Sequence, residues 1–208
     1  MSDKHKISQL KFDANEALIK RFRCTLKQTS LDDSQKVDGK RIKLYLTEST
    51  LDSANFDSFK NKFCRRFSPA LQNIRSVDAL TSSNQGCCLV EFKNGYFDIS
   101  ELHSKIFDSY VMYCEVMNVT ASQTRENLDF VLVYNREKFR TEKVKNNGSN
   151  NTVPFSPSYE KMKNHLGNQA KRTITDLGLE KYRTFCFRNV YSFDKEEFNE
   201  FLERNYQN

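Results

Sequence analysis

The sequence predicts an α/β fold, a mixed central β-sheet flanked by helices. Three observations lead there. Apolar residues recur at spacings of three and four in some segments, as at Phe56, Phe59, Phe63 and Phe67. In others they alternate (Ile42, Leu44, Leu46) or run on without interruption (Phe130 to Tyr134). The two kinds of segment interleave in the order α-β-α-β-β-α-β-α-β-α, which suits a sheet covered by helices. At 208 residues the chain is long enough for one domain with a sizeable core and short for two, so residues 1–208 are read as a single α/β domain.

Taken in order, residues 1–12 carry no periodic signal. Ala14, Leu18, Phe22 and Leu26 mark an amphipathic helix over about 13–28. Asp38-Gly39 is a turn signal, and a strand follows over 42–46. The Phe-lined helix spans about 56–66 and is ended by Ser68-Pro69. Two strands, roughly 74–80 and 87–93, are separated by the turn formers Ser82, Ser83, Asn84 and Gly86, and Asn94-Gly95 closes the second. Asp98 and Glu101 form a capping-box pattern, with Phe97 and Leu102 as its staple. That helix should reach Met117, turning Leu102, Ile106, Tyr110, Tyr113 and Met117 inward. The run Phe130–Tyr134 reads as a strand covered on both faces. Residues 136–155, charged and then Asn-rich, are expected to form a mobile polar loop. Ser156-Pro157 starts a further helix, a strand covers 185–191, and Phe193, Asp194, Glu197 and Phe198 open a terminal helix to about Asn205.

Composition narrows the class. Seventeen Phe and no Trp imply a Phe-rich core, and 29% charged residues imply a very polar surface. No run approaches the roughly 18 apolar residues of a membrane span, and the N-terminus has no signal-peptide stretch, so a cytoplasmic protein with no membrane partner is expected. The six cysteines include no Cys-x-x-Cys pair and are read as reduced thiols, with Cys87 and Cys88 on opposite faces of one strand. His5, His103 and His165 share no metal-ligand spacing. No Gly-rich phosphate loop, Gly-x-Ser-x-Gly elbow or kinase signature is present. A net charge of +6 and a pI near 8.9 suit a nucleic-acid partner.

One stretch makes a chemical claim. Twelve residues, 79–90, separate Asp78 from Glu91, and Lys93 follows Glu91 by two, so Glu91 and Lys93 share a strand face. A hairpin turning near 82–85 returns Asp78 to the level of residues 89–91. Two adjacent carboxylates repel, and a divalent cation between them offsets that cost. Mg²⁺, or Mn²⁺, suits one or two carboxylates, a carbonyl and several waters. Such an ion acidifies a water and neutralises phosphate charge, and a neighbouring lysine can serve the water or the transition state.

Val77-Asp78, the twelve-residue gap and Val90-Glu91-Phe92-Lys93 resemble the core of the PD-(D/E)XK, or restriction-endonuclease-like, nuclease superfamily over about residues 42–134. The resemblance implies a mixed sheet with the order αβββαβ. It also implies Asp78 and Glu91 as metal ligands, Lys93 as the residue assisting hydrolysis, and DNA as the favoured substrate. Ser76-Val77 stands where a proline often precedes the acid, and the family's early-helix glutamate has two candidates, Glu16 and Glu48. Lys105 and Asp108, on one exposed side of the helix after the motif, are candidates for supporting contacts. Lys60, Lys62, Arg65 and Arg66 form a basic helix side that can contact phosphates, and the basic segment 136–145 offers a weaker one. The alternative is a non-catalytic module that binds nucleic acid or protein on the same scaffold.

Overall fold

The computed structural model describes residues 14–34, 36–67, 73–83, 86–146, 173–175 and 177–206. A helix over 14–21 (α1) leads into strand Arg23–Thr25 (β1) and the single turn Leu26–Thr29 (α2). Four two-residue strands follow: Leu31–Asp32 (β2), Lys36–Val37 (β3), Lys40–Arg41 (β4) and Leu44–Tyr45 (β5). Next come Asp52–Asn55 (β6), helix Phe56–Phe67 (α3), and the hairpin strands Ala79–Ser83 (β7) and Gly86–Lys93 (β8). Helices Ile99–Met117 (α4) and Ala121–Asn127 (α5) precede strand Leu128–Tyr134 (β9). Further along, among the described residues, come Arg136–Asn146 (α6), Glu180–Phe185 (α7), Val190–Phe193 (β10) and Lys195–Tyr206 (α8).

Among the described residues, six strands form one mixed sheet in the order β1-β6-β7-β8-β9-β10, with β2-β5 and β3-β4 as separate ribbons. Pairing is antiparallel from β1 to β8 and parallel from β8 to β10. Antiparallel β7 and β8 need only a short turn, whereas parallel β8 and β9 need a crossover, which α4 and α5 supply. Gly86 begins β8 with φ +137°, and a Cβ there would lie 2.6 Å from the Asn127 carbonyl oxygen, so glycine is required where the hairpin passes the end of α5.

Period two divides the core between the sheet's faces. On one, Cys87 and Leu89 of β8 and Leu128, Phe130 and Leu132 of β9 meet Leu102, Ile106 and Tyr113 of α4, together with Phe56 and Phe59. On the other, Cys88, Val90, Phe92, Val131 and Val133 meet Phe198 and Leu202 of α8. Cys87 and Cys88 do face opposite ways, and all six cysteines are free thiols. With both faces covered, every residue of β9 is buried, which is why it lacks alternation. The Phe-rich expectation holds: Phe56, Phe130, Phe187 and Phe198 are among the largest fully buried side chains. No helix among the described residues is long and apolar enough to cross a membrane.

Several elements depart from expectation. The helix expected over 13–28 stops at 21, because residues 23–25 pair with Asp52–Ala54 at the sheet edge, and Thr25 and Gln28 then cap a new turn reciprocally at 3.2 and 2.8 Å. The strand expected over 42–46 is reduced to β5, outside the large sheet. Its place beside β7 belongs to β6, whose sequence Asp-Ser-Ala-Asn carries no strand signal. Residues 136–146 of the expected polar loop form helix α6, held where Asn135 Oδ1 accepts from the Lys138 amide (3.0 Å) and Phe139 stacks on Phe97. Residues 147–155 and the helix expected from Ser156 lie outside the described residues. The strand expected over 185–191 begins only at Val190; α7 ends at Phe185, and Phe187 enters the core.

Both capped helices begin as expected. Asp98 accepts from the Glu101 amide (2.9 Å), although the Glu101 carboxylate turns to Arg75 (2.6 Å). At α8 the box is complete: the Asp194 amide donates to Glu197 (2.9 Å), the Glu197 amide donates to Asp194 (3.0 Å), and Arg136 clamps both acids. Asp194→Ala is expected to cost about 1–2 kcal/mol through the lost cap. Phe198→Ala, which empties a fully buried ring site, should cost about 3–5 kcal/mol. Urea unfolding of the two variants checks the order.

Candidate active site

The β7–β8 hairpin brings Asp78 and Glu91 side by side. Ala79 pairs with Val90, and the Asp78 amide donates to the Val90 carbonyl (3.1 Å), so the ladder places Asp78 opposite Glu91. The approach to Asp78 is gripped by α4: the Arg75 amide donates to Asp108 Oδ2 (2.9 Å) and the Val77 amide to the buried Ser109 hydroxyl (2.8 Å). Asp78 Oδ2 accepts from the Phe92 amide at 2.6 Å, a short charge-assisted bond that orients the carboxylate. Asp78 Oδ1 accepts no hydrogen bond among the described residues.

Glu91 is fully buried, at 0% exposure, on the sheet face that meets α4. Its Oε1 carries two ammonium groups, Lys93 Nζ at 3.0 Å and Lys105 Nζ at 2.9 Å. Its Oε2 is buried and has no hydrogen-bond partner among the described residues. An uncompensated carboxylate at this depth would cost several kcal/mol, and the two lysines, each about one-fifth exposed, offset it and lead out to solvent.

The charges shape one another. Burial and then the neighbouring Glu91 carboxylate push Asp78 well above the usual aspartate value of 3.8, against the opposing pull of Lys105, the Phe92 amide and Lys93. Burial works against the Lys105 ammonium, but Glu91, Asp78 and Asp57 outweigh it and leave its pKa raised. Asp57, in the first turn of α3, accepts from Ser76 Oγ (2.5 Å) and Lys60 Nζ (2.9 Å). Burial opposes its ionisation, and those two bonds with the charges of Lys60 and Lys105 lower its pKa nonetheless.

Asp78, Glu91 and Lys93 therefore converge as the spacing implied. Lys105, expected on an exposed side of its helix as a candidate for a supporting contact, touches Glu91 directly and is only about one-fifth exposed. Asp108 serves the backbone ahead of Asp78. The two early acids lie elsewhere: Glu48 pairs with Lys27 (2.7 Å) and Lys195 (3.7 Å), and Glu16 lines a surface groove with Lys20, Arg23 and Asp52. An acid on α3, Asp57, lies close enough to act on Lys105. On α3, Lys60 turns to Asp57, while Lys62, Arg65 and Arg66 are exposed. In the basic segment, Arg136 is committed to Glu197 and Asp194. His103 packs against Tyr182, and His5 and His165 lie outside the described residues.

No group of three or more His, Cys, Asp and Glu side chains suited to a metal ion occurs among the described residues. The donor set at the hairpin is two carboxylates with a bare oxygen on each. That suits a hard ion that keeps most of its waters, and it does not suit a closed site such as structural zinc. No protein-family model, curated protein or solved structure matches this chain.

An acid whose pKa is higher in the folded chain than in the unfolded one keeps a proton that unfolding releases. Stability then falls as pH rises above the ordinary value of 3.8 toward the raised folded value. Asp78→Asn, which can still accept from the Phe92 amide, is expected to remove this slope and raise the melting temperature at neutral pH. Melting curves of both proteins from about pH 4 to pH 7 test it, and parallel pH dependences would contradict the Asp78 assignment.

Proposed function

We propose that the protein is an Mg²⁺- or Mn²⁺-dependent phosphodiesterase of the cytoplasm that hydrolyses nucleic acid, DNA in preference to RNA, through a PD-(D/E)XK-like site. The observation that carries this reading is the bare, buried Oε2 of Glu91 beside Asp78, with Lys93 on the same strand face. The order β6-β7-β8, a helix, then parallel β9 supports a restriction-endonuclease-like core, with α3 inserted between the first two strands.

In this reading Asp78 and Glu91 hold the ion, whose chemistry when bound is to acidify a water and offset phosphate charge. The Phe92 amide keeps the Asp78 carboxylate turned toward the site, and Asp108 and Ser109 fix residues 75–77, the segment that leads into Asp78 just ahead of β7. Lys93 leaves Glu91 Oε1 to donate to the attacking water or to a phosphate oxygen. Exposed Lys62, Arg65 and Arg66, with the net charge of +6, supply contacts to neighbouring phosphates.

Purified protein should cleave DNA with Mg²⁺ or Mn²⁺ and stop when the metal is chelated. Asp78→Ala and Glu91→Ala should each abolish cleavage, and Lys93→Ala should slow it by roughly 10²–10³-fold. Metal-dependent cleavage that survives both acid substitutions would remove the site assignment.

A second reading is favoured by the two ammoniums already on Glu91, which neutralise it without any metal. Here the chain is a non-catalytic module that binds nucleic acid or protein. It predicts no cleavage with any divalent ion and no metal-induced rise in melting temperature, even with DNA present.

A further inference from the structure

Glu91 Oε1 receives both Lys93 and Lys105, whereas Oε2 receives neither. Lys93 belongs to the motif and lies on the same strand as Glu91. Lys105 comes from α4, and its ammonium sits 2.9 Å from an oxygen that is fully buried. Building on the proposed nuclease reading, we infer that Lys105 is a built-in counter-ion for Glu91 that keeps metal affinity low in the free protein and makes metal entry depend on the arrival of a phosphate backbone.

Asp78 and Glu91 carry at most two negative charges, and Lys93 and Lys105 carry two positive ones. Asp57 is balanced by Lys60 at 2.9 Å, and the Arg75–Glu101 pair beside them is balanced as well. The hairpin site is thus neutral, or positive, before anything binds. A divalent ion held by Oε2 would add two uncompensated positive charges to the carboxylate whose other oxygen already holds both ammoniums. At separations of a few ångströms and an effective dielectric near 20, one such repulsion lowers affinity by roughly ten-fold or more. Two adjacent phosphodiesters restore neutrality, and Lys93 can move onto one of them while Lys105 still holds Glu91 Oε1. Lys105 acts through Glu91 and is a positioning residue. It reaches neither water nor phosphate in this scheme, so its effect appears in metal binding before it appears in turnover.

Titration of the full chain with Mn²⁺, followed by the electron paramagnetic resonance of the free ion, with and without a phosphorothioate DNA duplex, tests the inference. Wild type should bind Mn²⁺ at least about ten-fold more tightly with the duplex than without it. Lys105→Met should bind Mn²⁺ tightly without duplex and lose most of that difference, and Lys105→Arg, which restores the charge, should recover it. Thermal unfolding of each variant confirms that the comparison is between folded proteins. Unchanged Mn²⁺ affinity in folded Lys105→Met, or an Arg variant that behaves like the Met variant, would overturn the role of Lys105 while leaving the nuclease reading intact. Should Lys105→Met not fold, a wild-type and Arg-variant affinity that is equal with and without duplex overturns the coupling by itself. No Mn²⁺ bound by wild type even with duplex would overturn the proposed function and this inference together.

Discussion

A charge buried in the middle of the sheet sets the terms for everything around it. Glu91 lies on β8 with no exposed surface, between Val90 and Phe92, which face the other core. A carboxylate there is tolerated only with counter-charge in direct contact. One ammonium comes from its own strand and the other from α4, so the packing of that helix and the ionisation of that strand depend on each other. The same helix grips residues 75–77 through Asp108 and Ser109, and so aligns Asp78 with Glu91. A single helix therefore supplies one of the two counter-charges of Glu91 and fixes the segment that leads into Asp78.

The two faces of the sheet divide the labour. The α8 face is apolar through Cys88, Val90, Phe92, Val131 and Val133, and its polar interactions lie at the rim, where Arg136 binds Glu197 and Asp194. The α4 face is apolar through Leu89, Phe130 and Leu132, and becomes charged at Glu91 and Lys93, toward the carboxyl end of β8. In a sheet with parallel strands, that end is where ligand chemistry collects. Rigid core behind and lysine-lined access in front suit a site that must hold two carboxylates together against their repulsion.

Much of this was legible in the sequence where the signal was local. The Phe spacing of α3, the caps of α4 and α8 and the uninterrupted run of β9 each reflect a period or a pattern within a few residues, and each element is present. Segments whose state depends on distant partners carry no such local signal. Residues 23–25 look helical by period and become a strand because β6 offers an edge. Residues 52–55 have no strand composition and become one because β1 and β7 lie on either side. Residues 136–146 look like a polar loop and form a helix seated by Asn135 and Phe139.

The site divides the same way. Strand period and turn length are local properties, so the sequence is enough to bring Asp78, Glu91 and Lys93 together at one hairpin. That Lys105 completes the charge balance of Glu91, that Asp57 lies close to Lys105 and that Glu16 and Glu48 are remote is visible only in the packed fold. Those outcomes depend on how α3 and α4 dock on the sheet. Docking is governed by the summed packing of Leu102, Ile106, Phe56 and Phe59 against residues distant in the chain, and no short pattern records it.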